Sequence, residues 1–104
     1  EGEYQLFVVT KNGFGKRTDV TEYRLQSRGG SGTKTANVKD KTGDIVSARV
    51  VRSTATKDVI LISEKGQVIR VTLATVSVLG RATQGVRLMR FKEAGDVVAS
   101  VTIV

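Results

Sequence analysis

Two short glycine-rich segments, each carrying an arginine, are the part of this sequence whose residue types fit a definite chemistry. They span residues 26–32 and 79–85, and their arginines are Arg28 and Arg81. Glycine lets a backbone approach a phosphate closely, and arginine offers a planar fork of hydrogen-bond donors. Both segments therefore indicate binding of a phosphate group. A structural alternative is open: each segment could be a tight connection whose arginine caps a neighbouring carbonyl.

Basic residues recur in the two halves of the chain at a spacing of 53 residues. The pairs are Arg17 with Arg70, Arg28 with Arg81, Lys34 with Arg87, and Lys39 with Lys92. Recurrence at one spacing would place the charges along one rim, where a DNA duplex could follow them. The residues predicted to contact phosphates are Lys16, Arg17, Arg28, Lys34, Arg70, Arg81 and Arg87.

The recurring charges belong to an internal repeat that covers the chain. Gly13 and Gly66 share the same spacing, as do Gly32 and Gly85. After one deleted residue, residues 42–46 match residues 94–98. The repeat predicts two units, residues 1–54 and residues 55–104, of a length typical of propeller blades. Because such arrays need at least about three units to bury a continuous core, we expect the chain to be part of a longer protein.

The composition agrees with an anionic partner. The 104 residues carry a formal charge of +7, and each predicted unit is basic by itself. A strongly basic domain is one sign of nucleic-acid binding. Surface lysines that only keep the protein soluble are the simpler alternative. Low aromatic content disfavours stacking on single strands, and RNA remains open as a partner.

The sequence gives little support for a catalytic or metal-binding function. The chain has no histidine and no cysteine, which removes the most common general base, disulfides and most zinc sites. Tyr4 and Tyr23 are interpreted as packing residues. Residues 13–18 lack the spacing of a nucleotide-binding P-loop. We therefore predict no catalytic residue, no metal ligand and no cofactor.

The sequence also indicates where in the cell the protein lies. Apolar runs such as residues 59–62 are four residues long, whereas a membrane-spanning helix needs about twenty. The first residues do not resemble a signal peptide. We predict a soluble cytoplasmic protein without a membrane partner.

The hydrophobic pattern predicts strands along most of the chain. Residues 6–10 and 14–18 flank an Asn-Gly pair, a strong hairpin signal, and the second unit repeats this pattern around residues 64–66. A further hairpin is predicted in each unit: residues 33–39 with 44–51, and residues 86–91 with 97–104. The predicted fold is all-β, with two tandem four-stranded antiparallel units. A helix over residues 19–25 or 73–79 is a weaker alternative, because β-branched residues are frequent in the second segment.

Four stretches resemble a known family. Residues 12–18 (Asn-Gly-Phe-Gly-Lys-Arg-Thr), residues 22–24 (Glu-Tyr-Arg) and the loop at Arg28 are similar to a blade of the C-terminal domain found in the A subunit of bacterial DNA gyrase. Residues 80–88 (Gly-Arg-Ala-Thr-Gln-Gly-Val-Arg-Leu) resemble the last blade of that domain. The resemblance covers essentially the whole chain, and the corresponding subunit of topoisomerase IV is a close relative.

The resemblance implies a β-pinwheel, a propeller-like array of four-stranded blades that exchange strands with their neighbours. It implies a non-catalytic module that wraps double-stranded DNA around a basic perimeter. The holoenzyme of such a module is an ATP-hydrolysing type II topoisomerase that introduces negative supercoils. The implied partners are the remaining blades and the breakage-reunion domain of the same polypeptide, and the B subunit of gyrase, in the bacterial cytoplasm at the nucleoid.

The DNA-wrapping element of that family, the gyrase box, is similar to residues 26–32. The box positions that this loop keeps, and that the resemblance adds to the predicted DNA contacts, are Gln26, Arg28, Gly29, Gly30 and Gly32. Ser27 and Ser31 stand where basic residues are expected, and only Arg81 and Gly85 remain in the second unit. Neither loop is an intact box, which favours auxiliary contact on a DNA path begun elsewhere.

A second function from a different class is a scaffold for blade assembly with little DNA affinity of its own. Open blade edges invite pairing with another strand. This alternative predicts self-association of the chain.

Overall fold

The computed structural model describes residues 3–21, 42–80 and 83–104, and these ranges are built from β-strands. The strands are β1 Tyr4–Thr10, β2 Phe14–Asp19, β3 Ile45–Arg52, β4 Asp58–Ser63, β5 Val68–Thr72, β6 Val86–Arg87 and β7 Val98–Ile103. A short 3₁₀ turn, Leu73–Thr75, follows β5, so the helix weighed for residues 73–79 does not form. Within the described ranges, no helix is long and apolar enough to cross a membrane.

The strands form two antiparallel sheets, with the orders β3-β1-β2-β6 and β5-β4-β7. Both hairpins predicted around the repeated glycines are confirmed. In the first, Val8 lies opposite Lys16, and in the second, Leu61 lies opposite Ile69, the corresponding repeat positions. The all-β prediction is therefore confirmed. The two sheets contain equivalent hairpins, paired in the same register.

The repeat also extends to the third strand of each sheet, with one difference from the sequence match. β3 pairs with β1 as β7 pairs with β4, and the pairing places Ile45 opposite Thr10 and Val98 opposite Ser63. Ile45, not Val46, thus takes the place of Val98. The match of residues 42–46 with 94–98 is shifted by one residue from the strand register, because similar turn residues do not force equal turn lengths.

The fourth strand of the first sheet comes from the second repeat unit. β6 pairs with β2, with Arg87 opposite Phe14 and Val86 opposite Gly15. β7, predicted to pair with this segment, pairs with β4 instead. The predicted hairpin of residues 86–91 with 97–104 is therefore wrong, because its two sides enter different sheets. The corresponding segment of the first unit, residues 33–39, lies outside the described residues.

The apolar core is shared by the two repeat units. Phe7 and Val9 from the first unit belong to the same buried cluster as Leu61, Leu73 and Met89 from the second. Burying a large apolar side chain contributes about 1.5 to 3 kcal/mol. Since the cluster draws on both units, the stability of each one depends on contact with the other.

Two glycines at the same repeat position have different surroundings. Gly13 and Gly66 have φ angles of +90° and +91°, in the region that other residues rarely adopt. A Cβ atom at Gly13 would lie 2.5 Å from the carbonyl oxygen of Met89, whereas one at Gly66 would meet nothing within 4 Å. The backbone of the second unit therefore closes on Gly13 in the turn of the first hairpin, whereas no described atom lies as close to Gly66.

Asp96, which lies just before β7, holds the turn of the second hairpin. One carboxylate oxygen of Asp96 accepts hydrogen bonds from the N–H of Lys65 at 3.0 Å and of Val97 at 2.9 Å. Burial by itself would raise the pKa of Asp96, but bonds from Ser63, Lys65 and Val97, with the charge of Lys65, outweigh it and hold the pKa below its usual value. The ionised form is therefore the one that fits the fold.

We expect Gly13→Ala to destabilise the protein more than Gly66→Ala. Both changes impose the same backbone strain, about 1 to 2 kcal/mol. Gly13→Ala also forces an atom against Met89, which costs about 1 to 3 kcal/mol more. Chemical denaturation of both variants measures the difference, and equal losses would contradict the close approach at Gly13.

The depressed pKa of Asp96 predicts a pH-dependent contribution to stability. A carboxyl group whose pKa is lower in the folded than in the unfolded state stabilises the fold above the unfolded value, about 3.9, and loses this contribution as pH falls through the folded value. The stability gap between wild type and Asp96→Asn should therefore be largest at neutral pH and shrink below about pH 4. Urea denaturation across this pH range measures the gap, with Asp44→Asn, an exposed carboxyl, as the control. A gap that stays constant with pH would refute the role of the charge.

Candidate nucleic-acid interface

The structure describes less than half of the residues predicted to contact DNA. Those outside the described residues are Gln26, Arg28, Gly29, Gly30, Gly32, Lys34 and Arg81. Those described are Lys16, Arg17, Arg70, Gly85 and Arg87. The described residues lie in three different environments, so the repeat spacing alone does not assign them one role.

Arg87 is an exposed cation on the outer strand of the first sheet. Its guanidinium carbon lies 4.6 Å from the centre of the Phe14 ring, its partner across the strand pair. Gly85 leads into this strand with a φ of +89°, and a Cβ there would lie 2.8 Å from the carbonyl oxygen of Gly15. Glycine thus allows β6 to begin directly beside β2, and the Phe14 ring supports an arginine that faces solvent.

Lys16 is buried despite its charge. Only 1% of the residue is exposed, and its ammonium donates to the carbonyl oxygens of Gly80 at 2.8 Å and Thr83 at 2.9 Å. A third bond joins it to the hydroxyl oxygen of Thr83 at 3.3 Å. The side chain therefore secures the loop that precedes β6. It does not lie at the surface, where a phosphate could reach it.

Arg17 is also buried, with 7% of the residue exposed. Its Nε donates to the carbonyl oxygen of Val76 at 2.9 Å, and Nη2 donates to that of Ala74 at 3.1 Å. Nη1 donates to the side-chain oxygen of Gln5 at 3.1 Å. Burial lowers the pKa of Arg17, but a guanidinium keeps its charge at any ordinary pH. Arg17 thus joins the first sheet to the turn that follows β5.

Arg70 occupies the repeat position of Arg17 but remains exposed. Its Nε donates to a carboxylate oxygen of Asp58 at 2.6 Å, and 63% of the side chain is accessible. Asp58 stands at the repeat position of Gln5, which contacts Arg17. The pairing across the hairpin is therefore kept in both units, and what differs is whether a further segment covers the arginine.

A basic groove beside β3 was not predicted from the sequence. This open groove of about 590 Å³ is bordered by Arg49, Arg52 and Lys57. Arg52 is engaged there, since it lies 3.3 Å from Glu3 and over the ring of Tyr4. Arg49 does not recur in the second unit, where the strand register places a threonine at its counterpart, so a search for recurring cations misses it. The charges at the end of β3 were the signal that could have revealed the groove.

The candidate contacts that the structure describes are four cations and one glycine. Within the described ranges, no group of acidic residues could hold a metal ion. The exposed arginines can donate to phosphate oxygens, whereas the buried Lys16 and Arg17 donate to oxygens of the chain itself. The chemistry available at this surface is anion binding.

Comparison with known proteins agrees with this architecture. A family model described as "DNA gyrase C-terminal domain, beta-propeller" matches residues 4–52 and 57–104. The DNA gyrase A subunit of Staphylococcus epidermidis is 45% identical over 101 residues, covering 97% of this chain and 11% of that protein. Its counterpart in Staphylococcus aureus is 45% identical over 86 residues, covering 83% of this chain and 10% of that protein. The chain thus spans about a tenth of the length of these relatives.

Two solved structures have a similar fold. A DNA gyrase A C-terminal domain superposes with a TM-score of 0.80 at 25% identity, covering 95% of this chain and 33% of that one. The C-terminal domain of a DNA topoisomerase IV superposes with a TM-score of 0.86 at 23% identity, covering all of this chain and 31% of that one. The resemblance noted in the sequence is confirmed: this chain belongs to the DNA gyrase C-terminal domain, beta-propeller family.

Proposed function

We propose that this chain is a non-catalytic DNA-binding module of a type II DNA topoisomerase, and that it contacts duplex phosphates through exposed arginines on its perimeter. The observation that carries the proposal is Arg87, which faces solvent on the outer strand of a sheet and is supported by Phe14. The formal charge of +7 and the family of the chain support it.

The proposed contact is electrostatic. A duplex carries one negative charge about every 1.7 Å along its axis, and each phosphate that a cation neutralises releases condensed counterions. Contacts of this kind carry no sequence information by themselves. Binding should therefore be independent of sequence and weaken steeply with added salt.

The proposed DNA contacts differ in part from the set suggested by the repeat. Arg87 and the loop beginning at Gly85 are retained, together with the loop residues Gln26, Arg28, Gly29, Gly30, Gly32, Lys34 and Arg81. Lys16 and Arg17 are assigned to the junction between the units instead, because their donors already bond to carbonyl oxygens of the chain. Arg70 is exposed, and its Nε donates to Asp58.

The role of the whole protein is part of the proposal. We infer that the module serves the A subunit of a gyrase, whose holoenzyme with the B subunit would supercoil DNA negatively at the expense of ATP in the bacterial cytoplasm. The breakage-reunion domain and further blades would belong to the same polypeptide, and the two units described above would guide DNA. The boundaries at residues 1–54 and 55–104 remain a proposal for the two blades.

A scaffold for blade assembly is the second candidate function. One observation favours it: β5 is an edge strand of the second sheet, whereas the corresponding β2 is covered by β6. Edge strands present unpaired backbone donors and acceptors to other chains. A scaffold would bind other blades and show little salt-sensitive affinity for DNA.

Arg87→Ala should weaken DNA binding without altering the fold. Fluorescence anisotropy of a labelled duplex, titrated at several salt concentrations, should show a log-log slope that becomes shallower by about 0.9 when one phosphate contact is removed. The loss should be equal for unrelated DNA sequences. Arg52→Ala is the matched control, because its guanidinium is already engaged by Glu3 and Tyr4.

No DNA binding by the wild type at low salt would reject the proposed function in favour of the scaffold. An unchanged slope in Arg87→Ala would place the DNA path elsewhere on the chain.

Lys16→Met should lower the stability of the fold without changing the number of DNA phosphates that the chain contacts. Removing the ammonium takes its bonds from the carbonyls of Gly80 and Thr83, which costs about 1 to 3 kcal/mol. The carbonyl of Gly80 keeps the hydroxyl and N–H of Thr83 as donors. Urea denaturation should detect this loss, and the exposed Lys57→Met should show almost none. If Lys16→Met kept its stability while the DNA salt slope became shallower, Lys16 would instead be a phosphate contact.

A further inference from the structure

Gln67, which immediately precedes β5, holds the segment that follows β6 by its side-chain amide. Its Nε2 donates to the carbonyl oxygen of Arg90 at 2.7 Å, and its Oε1 accepts from the N–H of Lys92 at 3.0 Å. One amide thus bonds to a backbone acceptor and a backbone donor, as a peptide group of a neighbouring strand would. The backbone of residues 90–92 is therefore fixed to the second hairpin by a side chain.

Gln67 is itself fixed by the turn of that hairpin. Its N–H donates to the hydroxyl oxygen of Ser63 at 2.9 Å, and its carbonyl accepts from the N–H of Ser63 at 2.8 Å. A further bond, from the ammonium of Lys65 to the carbonyl oxygen of Ala94 at 2.9 Å, ties the same segment to the turn. Residues 90–94 thus keep their place relative to the second hairpin.

The repeat position of Gln67 also supports a cation in the first unit. The corresponding residue is Phe14, whose N–H donates to the hydroxyl oxygen of Thr10 at 3.3 Å, as that of Gln67 donates to Ser63. The ring of Phe14 lies 4.6 Å from the guanidinium carbon of Arg87. In both units, the residue at this position therefore contacts a segment that carries exposed cations.

Arg90 and Lys92 present their charges to solvent. Both residues are exposed, whereas Met89 is buried, so the segment packs one side against the core. Among the residues that the structure describes, no carboxylate forms an ion pair with Arg90 or Lys92. The neighbouring acid, Glu93, lies 4.0 Å from the ammonium of Lys65. The two cations are therefore available to an anion.

We propose that Arg90 and Lys92 contact phosphates of duplex DNA, and that Gln67 is the positioning residue that holds them in place. The proposal rests on the DNA-binding function proposed above and extends the contact at Arg87 into the second unit. The Cα atoms of Arg90 and Lys92 are at most about 7 Å apart. Each strand of a duplex carries a charge about every 3.4 Å along the axis, so the two cations can meet different phosphates.

The physical role of Gln67 is to lower the cost of binding. Ordering the groups that make a contact consumes part of the binding free energy, and a segment that is already ordered loses less. The two bonds of Gln67 order the backbone that carries Arg90 and Lys92 before DNA arrives. Gln67 should therefore increase DNA affinity through these two cations, without a contact of its own.

The combined variant Arg90→Ala, Lys92→Ala tests the phosphate contacts. Fluorescence anisotropy of a labelled duplex over a range of salt concentrations should give a log-log slope shallower by about 1.8, the value for two phosphates. The affinity lost should be the same for unrelated DNA sequences. The combined variant Arg52→Ala, Lys57→Ala is the matched control, because it removes one arginine and one lysine from the connection between the units and should keep the wild-type slope.

Gln67→Met tests the positioning role. It should lower DNA affinity several-fold in the wild-type background and leave it unchanged in the Arg90→Ala, Lys92→Ala background, because interacting residues have non-additive effects. Without DNA, the N–H of Lys92 should exchange its hydrogen several-fold faster in Gln67→Met, since it loses its acceptor. Circular dichroism should show that the sheets remain.

The outcomes separate this inference from the proposed function. If the wild type binds DNA and the Arg90→Ala, Lys92→Ala variant keeps its slope, the inference is rejected and the proposed function stands. Equal flattening in both combined variants would mean that only total charge matters, which also rejects the inference. An equal effect of Gln67→Met in both backgrounds would make its role merely structural. A wild type that does not bind DNA would reject the proposed function, and this inference with it.

Discussion

The covering of the outer edge of β2 is the contact on which the rest of the structure depends. An extended strand there exposes backbone donors, acceptors and two long cationic side chains. The second unit supplies partners for these groups through β6, through the backbone bonds of Arg17, and through carbonyls that accept from Lys16 and Arg17. Buried cations require such partners, because an unpaired buried charge is very costly. The apolar core can be shared only because this polar junction closes beside it.

The junction also separates the basic residues into two groups with different roles. Charges that face the neighbouring unit bond to its carbonyls and become part of the fold. A charge such as Arg87, on the far side of the added strand, remains free to meet an anion. A positive chain can therefore combine structural cations with a basic perimeter, and total charge alone does not distinguish them.

Much of the fold followed from local sequence signals. The repeated glycine turns and the alternating pattern predicted both hairpins, since a turn residue and a strand pair lie close together in sequence. The pairing of β6 with β2 and of β7 with β4 could not be predicted in this way, because each edge offers the same backbone groups to any strand that reaches it. The one-residue shift at Ile45 has the same origin: similar turn residues can lead into a strand at different registers.

For the candidate site, residue types indicated anion binding, and the repeat indicated which cations are equivalent. Equivalent sequence positions did not have equivalent environments. Lys16 and Arg17 match the pattern of surface contacts, yet the second unit buries them; Arg70 shares the position of Arg17 and stays exposed. The amino-acid order determined the hairpins, the charge and the family resemblance, because these depend on neighbouring residues and composition. Only the tertiary structure decided which charges are buried and which face solvent, because burial depends on what lies across an edge, and that segment is distant in the chain.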